Sequence, residues 1–174
     1  LPSVSSLSGV LFMSASTLLR RSAQEQARLE TMLREIFEER FPFNALLGLR
    51  VESFAAEAPG LTFAMRPELV GSYLHNRLHG GAIATALDTV GAVAVVVAVA
   101  EKHADETAEQ LVTRFGRFST IDLRVDYLRP GVGQTFHARA EVTRLGGRIA
   151  SARMELRNES GLLVATGSAA YVVS

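Results

Sequence analysis

The spacing of apolar residues changes along the chain, and the first spacing predicts a helix. Within residues 16–40, apolar residues recur at helical spacing among Glu, Gln and Arg: Leu18, Leu19, Leu29, Met32, Leu33, Ile36 and Phe37. This spacing places them on one face of an amphipathic helix. We expect that helix to end at Pro42, because proline cannot continue a helical hydrogen-bond ladder.

A second helix is predicted where the chain is apolar on every side. Residues 82–100 are almost entirely Ala, Val, Ile and Leu, with Asp88 as their only ionisable residue. The uninterrupted apolar part, residues 90–100, is shorter than the ~20 residues that a membrane-spanning helix requires. We therefore predict a helix buried in a protein core and no membrane span.

The C-terminal half changes to the alternating pattern of β-strands. Between Ile121 and Tyr127 apolar and charged residues alternate strictly, as in a strand with one buried face. Strand-like runs occupy residues 46–57, 61–66, 121–127, 134–145, 148–158 and 162–173. Glycine-containing turns separate the last three runs, as in antiparallel hairpins. The prediction is a single α+β domain with an antiparallel sheet curved around one long central helix, plus an extra N-terminal helix.

Composition narrows the class of function. The chain has 174 residues, 18 basic and 18 acidic side chains and no cysteine. A neutral chain lacks the basic surface of a nucleic-acid-binding protein, so no nucleic-acid partner is expected. Without cysteine there is no thiolate nucleophile and no cysteine-ligated metal, and the composition fits a reducing cytoplasmic location.

The candidate chemistry lies at the start of the central helix. Backbone N–H groups at Gly80 and Gly81 would be unshielded at a helix N-terminus, where they suit an anion or a developing oxyanion. Asp88 follows in the apolar body of the helix, where a carboxylate is unfavourable unless it is paired or functional. Each feature also has a structural interpretation: close packing for the glycines, pairing with an arginine for Asp88, and a structural hydrogen bond for His79.

Helix geometry links this site to the oligomeric state. Gly80 and Asp88 are eight residues apart, which is about 12 Å along a helix. One reacting carbonyl cannot contact both groups of one chain. Two antiparallel helices across a two-fold axis would bring Gly80 of one subunit beside Asp88 of the other. A functional site therefore implies a homodimer with two shared sites.

These residues resemble a known family. The sequence Leu78-His79-Gly80-Gly81, with Asp88 nine residues after the histidine, is similar to the signature of the PaaI-type, 4-hydroxybenzoyl-CoA-thioesterase-like hotdog acyl-CoA thioesterases. Residues 120–131 resemble the strand that follows the helix in that family, and residues 146–148 and 161–167 resemble its final hairpins. The resemblance implies a hotdog domain over residues 43–174. Residues 14–42 would then be an additional helix and residues 1–13 a leader.

The resemblance also implies roles for individual residues. Asp88 matches the general base or nucleophile, Gly80 the N–H that polarises the thioester carbonyl, and His79 the residue that orients this loop. Thr120 matches a Ser or Thr that places water or substrate. The weaker candidates for substrate binding are Gly81, Thr89, Asn76, Arg129 and Arg148, the two arginines as neighbours of the CoA phosphates.

One position departs from the family pattern. Relatives often carry an asparagine six or seven residues before the histidine, where this chain has Tyr73 and Ser72. Asn76 is the nearest amide, and it could take that role from a remodelled loop.

The implied function is hydrolysis of a medium-chain or aryl acyl-CoA to free CoA and a carboxylic acid. No metal or other cofactor is expected, CoA being part of the substrate. The expected assembly is a homodimer that can pair into tetramers. Two alternatives remain at this stage: a hotdog hydratase acting on enoyl or hydroxyacyl thioesters, and a non-catalytic acyl-CoA-binding module.

Overall fold

A computed structural model describes residues 20–174 of the chain, and the predicted leader at residues 1–13 lies outside them. The helices are α1 (Ala23–Glu35), α2 (Pro42–Leu47), α3 (Gly80–Lys102) and α4 (Ala108–Phe115), with a π-helical segment at Ile36–Arg40 and a 3-10 turn at Pro67–Leu69. The strands are β1 (Arg50–Ser53), β2 (Gly60–Ala64), β3 (Val70–Ser72), β4 (Arg77–Leu78), β5 (Ser119–Tyr127), β6 (Thr135–Leu145), β7 (Ile149–Asn158) and β8 (Leu163–Val172).

The sheet confirms the predicted α+β hotdog architecture. Six strands pair in the order β1-β2-β6-β7-β8-β5, and every pairing is antiparallel. Strands β3 and β4 form a separate short hairpin before the central helix. Irregularities interrupt the register in β1, β5, β6 and β8, and such bulges bend the strands that carry them.

The central helix is buried from two sides, which explains its uniform apolarity. One hydrophobic cluster joins α3 to the sheet, where alanines at 138, 140, 150 and 152 let the helix approach closely. A second cluster joins α3 to α1, α4 and β1. The helix is long and apolar enough to cross a membrane by length and composition, but 67% of its most apolar window is buried inside this domain.

The N-terminal helix begins later than predicted, and a second helix begins at Pro42, which was expected only to end the first. Ser22 caps α1 by accepting a hydrogen bond from the Glu25 N–H at 3.1 Å, so residues 20–22 are not helical. The predicted residues 16–19 lie outside the described part of the chain. Pro42 occupies the first turn of α2, where its missing N–H would have no partner in any helix. The structure therefore has two helices joined by a π-helical segment where the sequence predicted one.

A buried carboxylate fixes this N-terminal unit to the sheet. Glu38, which is 8% exposed, accepts hydrogen bonds from the Val51 N–H at 2.8 Å and from Arg34 and Arg50 at 3.0 and 2.9 Å. Together these donors compensate the loss of hydration of the carboxylate. They hold the π-helical segment against β1.

Candidate functional site

The N-terminus of α3 is held by hydrogen bonds to both sides of one peptide group. His79 is the N-cap residue, and its Nδ1 accepts a hydrogen bond from the Gly81 N–H at 2.8 Å. The Tyr127 hydroxyl donates to the Gly80 carbonyl oxygen at 3.0 Å. The Gly80–Gly81 peptide is therefore fixed through its N–H by His79 and through its C=O by Tyr127.

This arrangement leaves one backbone donor available. Among residues 20–174, no group accepts a hydrogen bond from the Gly80 N–H, which is the first amide of α3. The positive end of the helix dipole adds to the pull of this N–H on a negative oxygen. The geometry suits polarisation of a carbonyl group.

Asp88 lies at the side of the same helix and faces β5. The Thr120 hydroxyl donates to Asp88 Oδ1 at 3.0 Å. The register of β5 against β8 shifts between Thr120 and Asp122, which is a bulge of the kind that redirects side chains next to functional sites. Both residues were predicted as site residues, and the structure brings their side chains into hydrogen-bond contact.

Burial raises the pKa of the Asp88 carboxyl above its usual range, while the hydrogen bond from Thr120 acts in the opposite direction. The Tyr171 hydroxyl donates to the Asp88 backbone oxygen at 3.0 Å. Burial of Tyr171 and the negative charge of Asp88 raise the pKa of this phenol, so it remains a donor. Gly91 permits the contact, because a Cβ there would overlap the Tyr171 hydroxyl. A carboxylate with a raised pKa is a better proton acceptor than an ordinary surface aspartate.

A cavity of about 640 Å³ opens beside Asp88. Its polar end includes Thr85, Asp88 and Thr120, and the rest of its wall is largely apolar and aromatic. This size and lining are typical of a site for a small molecule with an apolar part. The sequence did not indicate which residues would form the apolar wall.

The remaining candidates divide into one inside the cavity and three outside it. Thr89 is buried in the cavity wall, and its hydroxyl donates to Asn44 Oδ1 at 3.3 Å. Asn76 is exposed in the turn between β3 and β4 with a φ of 48° and does not line the cavity. Arg129, which donates to the Leu163 carbonyl, and Arg148 are also exposed and away from it.

Asn76 therefore does not supply an amide to this cavity within one chain. Its backbone lies in the left-handed region, which asparagine tolerates better than most residues, and this explains its place in a tight turn. The amide in the cavity wall is Asn44, whose Nδ2 donates to the Phe37 carbonyl at 3.0 Å. Asn44 was not among the predicted site residues, because it falls in α2, a helix that was not predicted.

Tyr127 and Tyr171 were also missed. Tyr127 is the last residue of β5, and Tyr171 is the second-last residue of β8. Tyrosine is a common strand residue, so neither position indicates a functional role from the sequence. Only the pairing of β5 with β8 and the packing of α3 against them bring the two hydroxyls to Gly80 and Asp88. No group of three or more His, Asp or Glu side chains with metal-ligand geometry occurs in the part of the chain that the structure describes.

Comparisons with known proteins agree with this geometry. The family model of the thioesterase superfamily matches residues 75–165. The medium/long-chain acyl-CoA thioesterase YigI of Escherichia coli (strain K12) is 41% identical over 139 residues, which is 80% of this chain and 90% of that protein. A crystal structure of a Shewanella oneidensis protein related to the thioesterase superfamily has a TM-score of 0.81 and 40% identity, covering 86% of this chain and 97% of that one. A structure from Syntrophus aciditrophicus has a TM-score of 0.76 and 35% identity, with coverage of 87% and 100%.

Proposed function

The chain belongs to the thioesterase superfamily, and from that premise we propose that it hydrolyses medium- to long-chain acyl-CoA esters. The observation that carries the proposal is the position of Asp88, hydrogen-bonded to Thr120 at the polar end of a large apolar cavity. The cavity suits an acyl chain, and the carboxylate suits the reaction at its thioester. The length of the acyl group in this proposal comes from the name of the Escherichia coli relative. The prediction from the sequence was a medium-chain or aryl acyl group, and the proposal extends it to long chains.

In this proposal the thioester oxygen accepts a hydrogen bond from the Gly80 N–H. Negative charge develops on that oxygen as the carbonyl carbon becomes tetrahedral, so a fixed N–H at a helix N-terminus stabilises the transition state more than the substrate. His79 and Tyr127 hold the adjacent peptide and are positioning residues for this N–H.

Asp88 removes a proton from a water molecule, and the resulting hydroxide attacks the carbonyl carbon. The tetrahedral intermediate collapses with cleavage of the carbon–sulfur bond. The departing CoA thiolate takes up the proton, which leaves free CoA and the carboxylic acid. Direct attack by Asp88 would instead give a mixed anhydride, and transfer of ¹⁸O from solvent into Asp88 during single turnovers would identify that route. No metal or further cofactor enters either scheme.

The reaction requires a homodimer. Gly80 and Asp88 lie on the same helix α3, about 12 Å apart along its axis, so each active site combines the Gly80 of one subunit with the Asp88 of the other. Strand β5 supports this assembly, because it is a nine-residue edge strand with Ile121 and Tyr127 each 55% exposed. Long unprotected edge strands readily pair with another chain.

The test is thiol release from a panel of acyl-CoA esters, followed with a thiol-reactive dye. The protein contains no cysteine and adds no background signal. Release of CoA at rates that rise with chain length through the medium range supports the proposal. Saturable binding without release would favour a binding module, and conversion of enoyl-CoA without thiol release would favour a hydratase.

A further inference from the structure

The cavity beside Asp88 extends along α3 well beyond the proposed reacting group. The α3 residues that line it include four at intervals of three or four, which form one stripe along the helix: Thr85, Asp88, Ala92 and Val95. From Asp88 to Val95 the stripe runs about 10 Å along the helix axis. A linear chain whose carbonyl lies at Asp88 would follow this stripe away from the site of the reaction.

Four of the five phenylalanines that line the cavity are in ring-to-ring contact, and we call them the aromatic wall: Phe37, Phe41, Phe115 and Phe118. Three of them, Phe37, Phe115 and Phe118, pack in the hydrophobic cluster that contains residues 93, 96 and 97 of α3, which lie beyond Asp88 along the helix. The ring centroids of Phe37 and Phe115 are 5.2 Å apart, those of Phe37 and Phe41 5.8 Å, and those of Phe115 and Phe118 5.6 Å. These distances are typical of interacting aromatic rings. The wall therefore combines rings from the π-helical segment and the start of α2 with rings from the end of α4 and the residues before β5.

Hydrogen bonds connect the half of the aromatic wall that precedes α3 in sequence, Phe37 and Phe41, to the central helix. Asn44 donates to the Phe37 carbonyl at 3.0 Å and accepts from Thr89 of α3 at 3.3 Å. Phe37 itself is only 2% exposed. Its ring is consequently set in place with respect to α3 before any ligand enters.

The other half of the aromatic wall, Phe115 and Phe118, is fixed through contacts between α1 and α4. The Glu25 side chain accepts a hydrogen bond from the Ala108 N–H at 2.8 Å, at the first turn of α4. Arg28 and Glu109 form an ion pair between the same two helices. The N-terminal helix therefore positions both halves of the aromatic wall.

We propose that the aromatic wall binds the distal part of the acyl chain and sets the longest chain that the enzyme accepts. This inference rests on the proposed function. Burial of one more methylene group favours binding by about fourfold. Specificity should therefore rise steeply with chain length until the chain reaches the aromatic wall, and then fall. Residues 20–47, which lie outside the matched residues 75–165, then supply Phe37 and Phe41 to the surface that defines substrate length.

The experiment measures kcat/KM for even-numbered acyl-CoA esters from four to eighteen carbons in the wild type, Phe115→Leu and Phe41→Ala. Phe115 is half-buried and Phe41 is 40% exposed, so shortening either side chain is compatible with folding. We expect the optimum to move to longer chains, and the ratio of kcat/KM for the longest ester to that for the wild-type optimum to rise about tenfold or more. Phe54→Leu is the matched control, because Phe54 belongs to the same hydrophobic cluster but does not line the cavity.

The chain-length profile of the control should coincide with that of the wild type even where its melting temperature falls. A profile in both wall variants that stays within twofold of the wild type at every length would overturn the proposal. Failure of the proposed function would look different, because the wild type would then release no thiol from any ester. In that case the binding affinities of S-alkyl-CoA thioethers of increasing chain length test the aromatic wall alone. If the longest thioether that binds is longer in Phe115→Leu than in the wild type, the aromatic wall is a chain-binding surface. If affinity does not depend on chain length, the proposal is rejected.

Discussion

Replacement of Asp88 by asparagine should separate activity from stability. The substitution preserves the shape of the side chain and lets the Thr120 hydroxyl donate to Oδ1 as before. It removes the proton acceptor. Loss of a general base typically lowers the rate by about 10²–10⁴-fold, and we expect kcat for the preferred acyl-CoA to fall within that range.

The stability of Asp88→Asn should rise at neutral pH although its activity falls. Burial raises the pKa of Asp88 in the folded protein, so the folded state binds more protons than the unfolded state between the ordinary value of 3.8 and the raised pKa. The free energy of unfolding therefore falls as pH rises through that interval, and at neutral pH the ionised carboxylate lowers stability. Asparagine stays neutral. Asp88→Asn should unfold at a higher temperature than the wild type at pH 7, and the difference should disappear below the ordinary pKa.

The assay combines thiol release with thermal unfolding of the wild type, Asp88→Asn and the control Asp105→Asn, which alters an exposed residue after α3. The pH profile of kcat/KM for the wild type should lose activity on its acidic side at a pH above 3.8, because protonated Asp88 cannot accept a proton. An asparagine variant that keeps more than about a tenth of the wild-type activity would refute the role of Asp88. A variant that is inactive but less stable at pH 7 would refute the argument from burial.

Three further predictions concern the groups around the helix start and the N-terminal unit. Gly80→Pro removes the N–H at the first helical position, where proline is well tolerated, and adds a ring whose Cβ lies 3.4 Å from the Tyr127 side chain, which is ordinary to tight van der Waals contact. Thiol release should fall by about 10²–10³-fold while circular dichroism stays unchanged. Tyr127→Phe removes the hydrogen bond to the Gly80 carbonyl, so kcat should fall several-fold with little change in KM; a larger change in KM would indicate direct contact with substrate instead. Glu38→Gln keeps one acceptor oxygen but removes the charge that pairs with Arg34 and Arg50, whose side chains are 46% and 61% exposed. It should lower the free energy of unfolding by about 2 kcal/mol in urea titrations, whereas the exposed neighbour Glu39→Gln should change it little. Equal effects of Glu38→Gln and Glu39→Gln would contradict that assignment.

The four C-terminal strands and the central helix were predictable because each carries its own sequence pattern. The strand predicted at residues 46–57 is limited to Arg50–Ser53, since its first residues belong to α2, and the short strands β3 and β4 were not predicted. Strict alternation located β5 to within two residues, and the apolar run located α3 to within two residues at each end. The N-terminal region was less predictable. Pro42 stops one helix and starts another, and the sequence does not distinguish a proline that ends a helix from one that begins the next.

The site was predictable where its residues are neighbours in sequence and not where they come from distant elements. The histidine, the glycines and Asp88 share one helix, and Thr120 was found through a family motif. Asn44 and the aromatic wall come from segments that reach the cavity only through tertiary packing. Phenylalanines at helical spacing in an amphipathic helix indicate a core face, and nothing in the sequence separates a core face from a cavity wall.

The central claim, hydrolysis of acyl-CoA at a site shared between two subunits, is tested most directly by mixing Asp88→Asn and Gly80→Pro. Each variant alone should be nearly inactive. After unfolding and refolding of an equal mixture, hybrid dimers have one site with an intact Gly80 from one subunit and an intact Asp88 from the other. Random pairing should restore thiol release from acyl-CoA to about a quarter of the wild-type rate. A mixture that forms hybrid dimers yet stays as inactive as the separate variants would contradict the shared site.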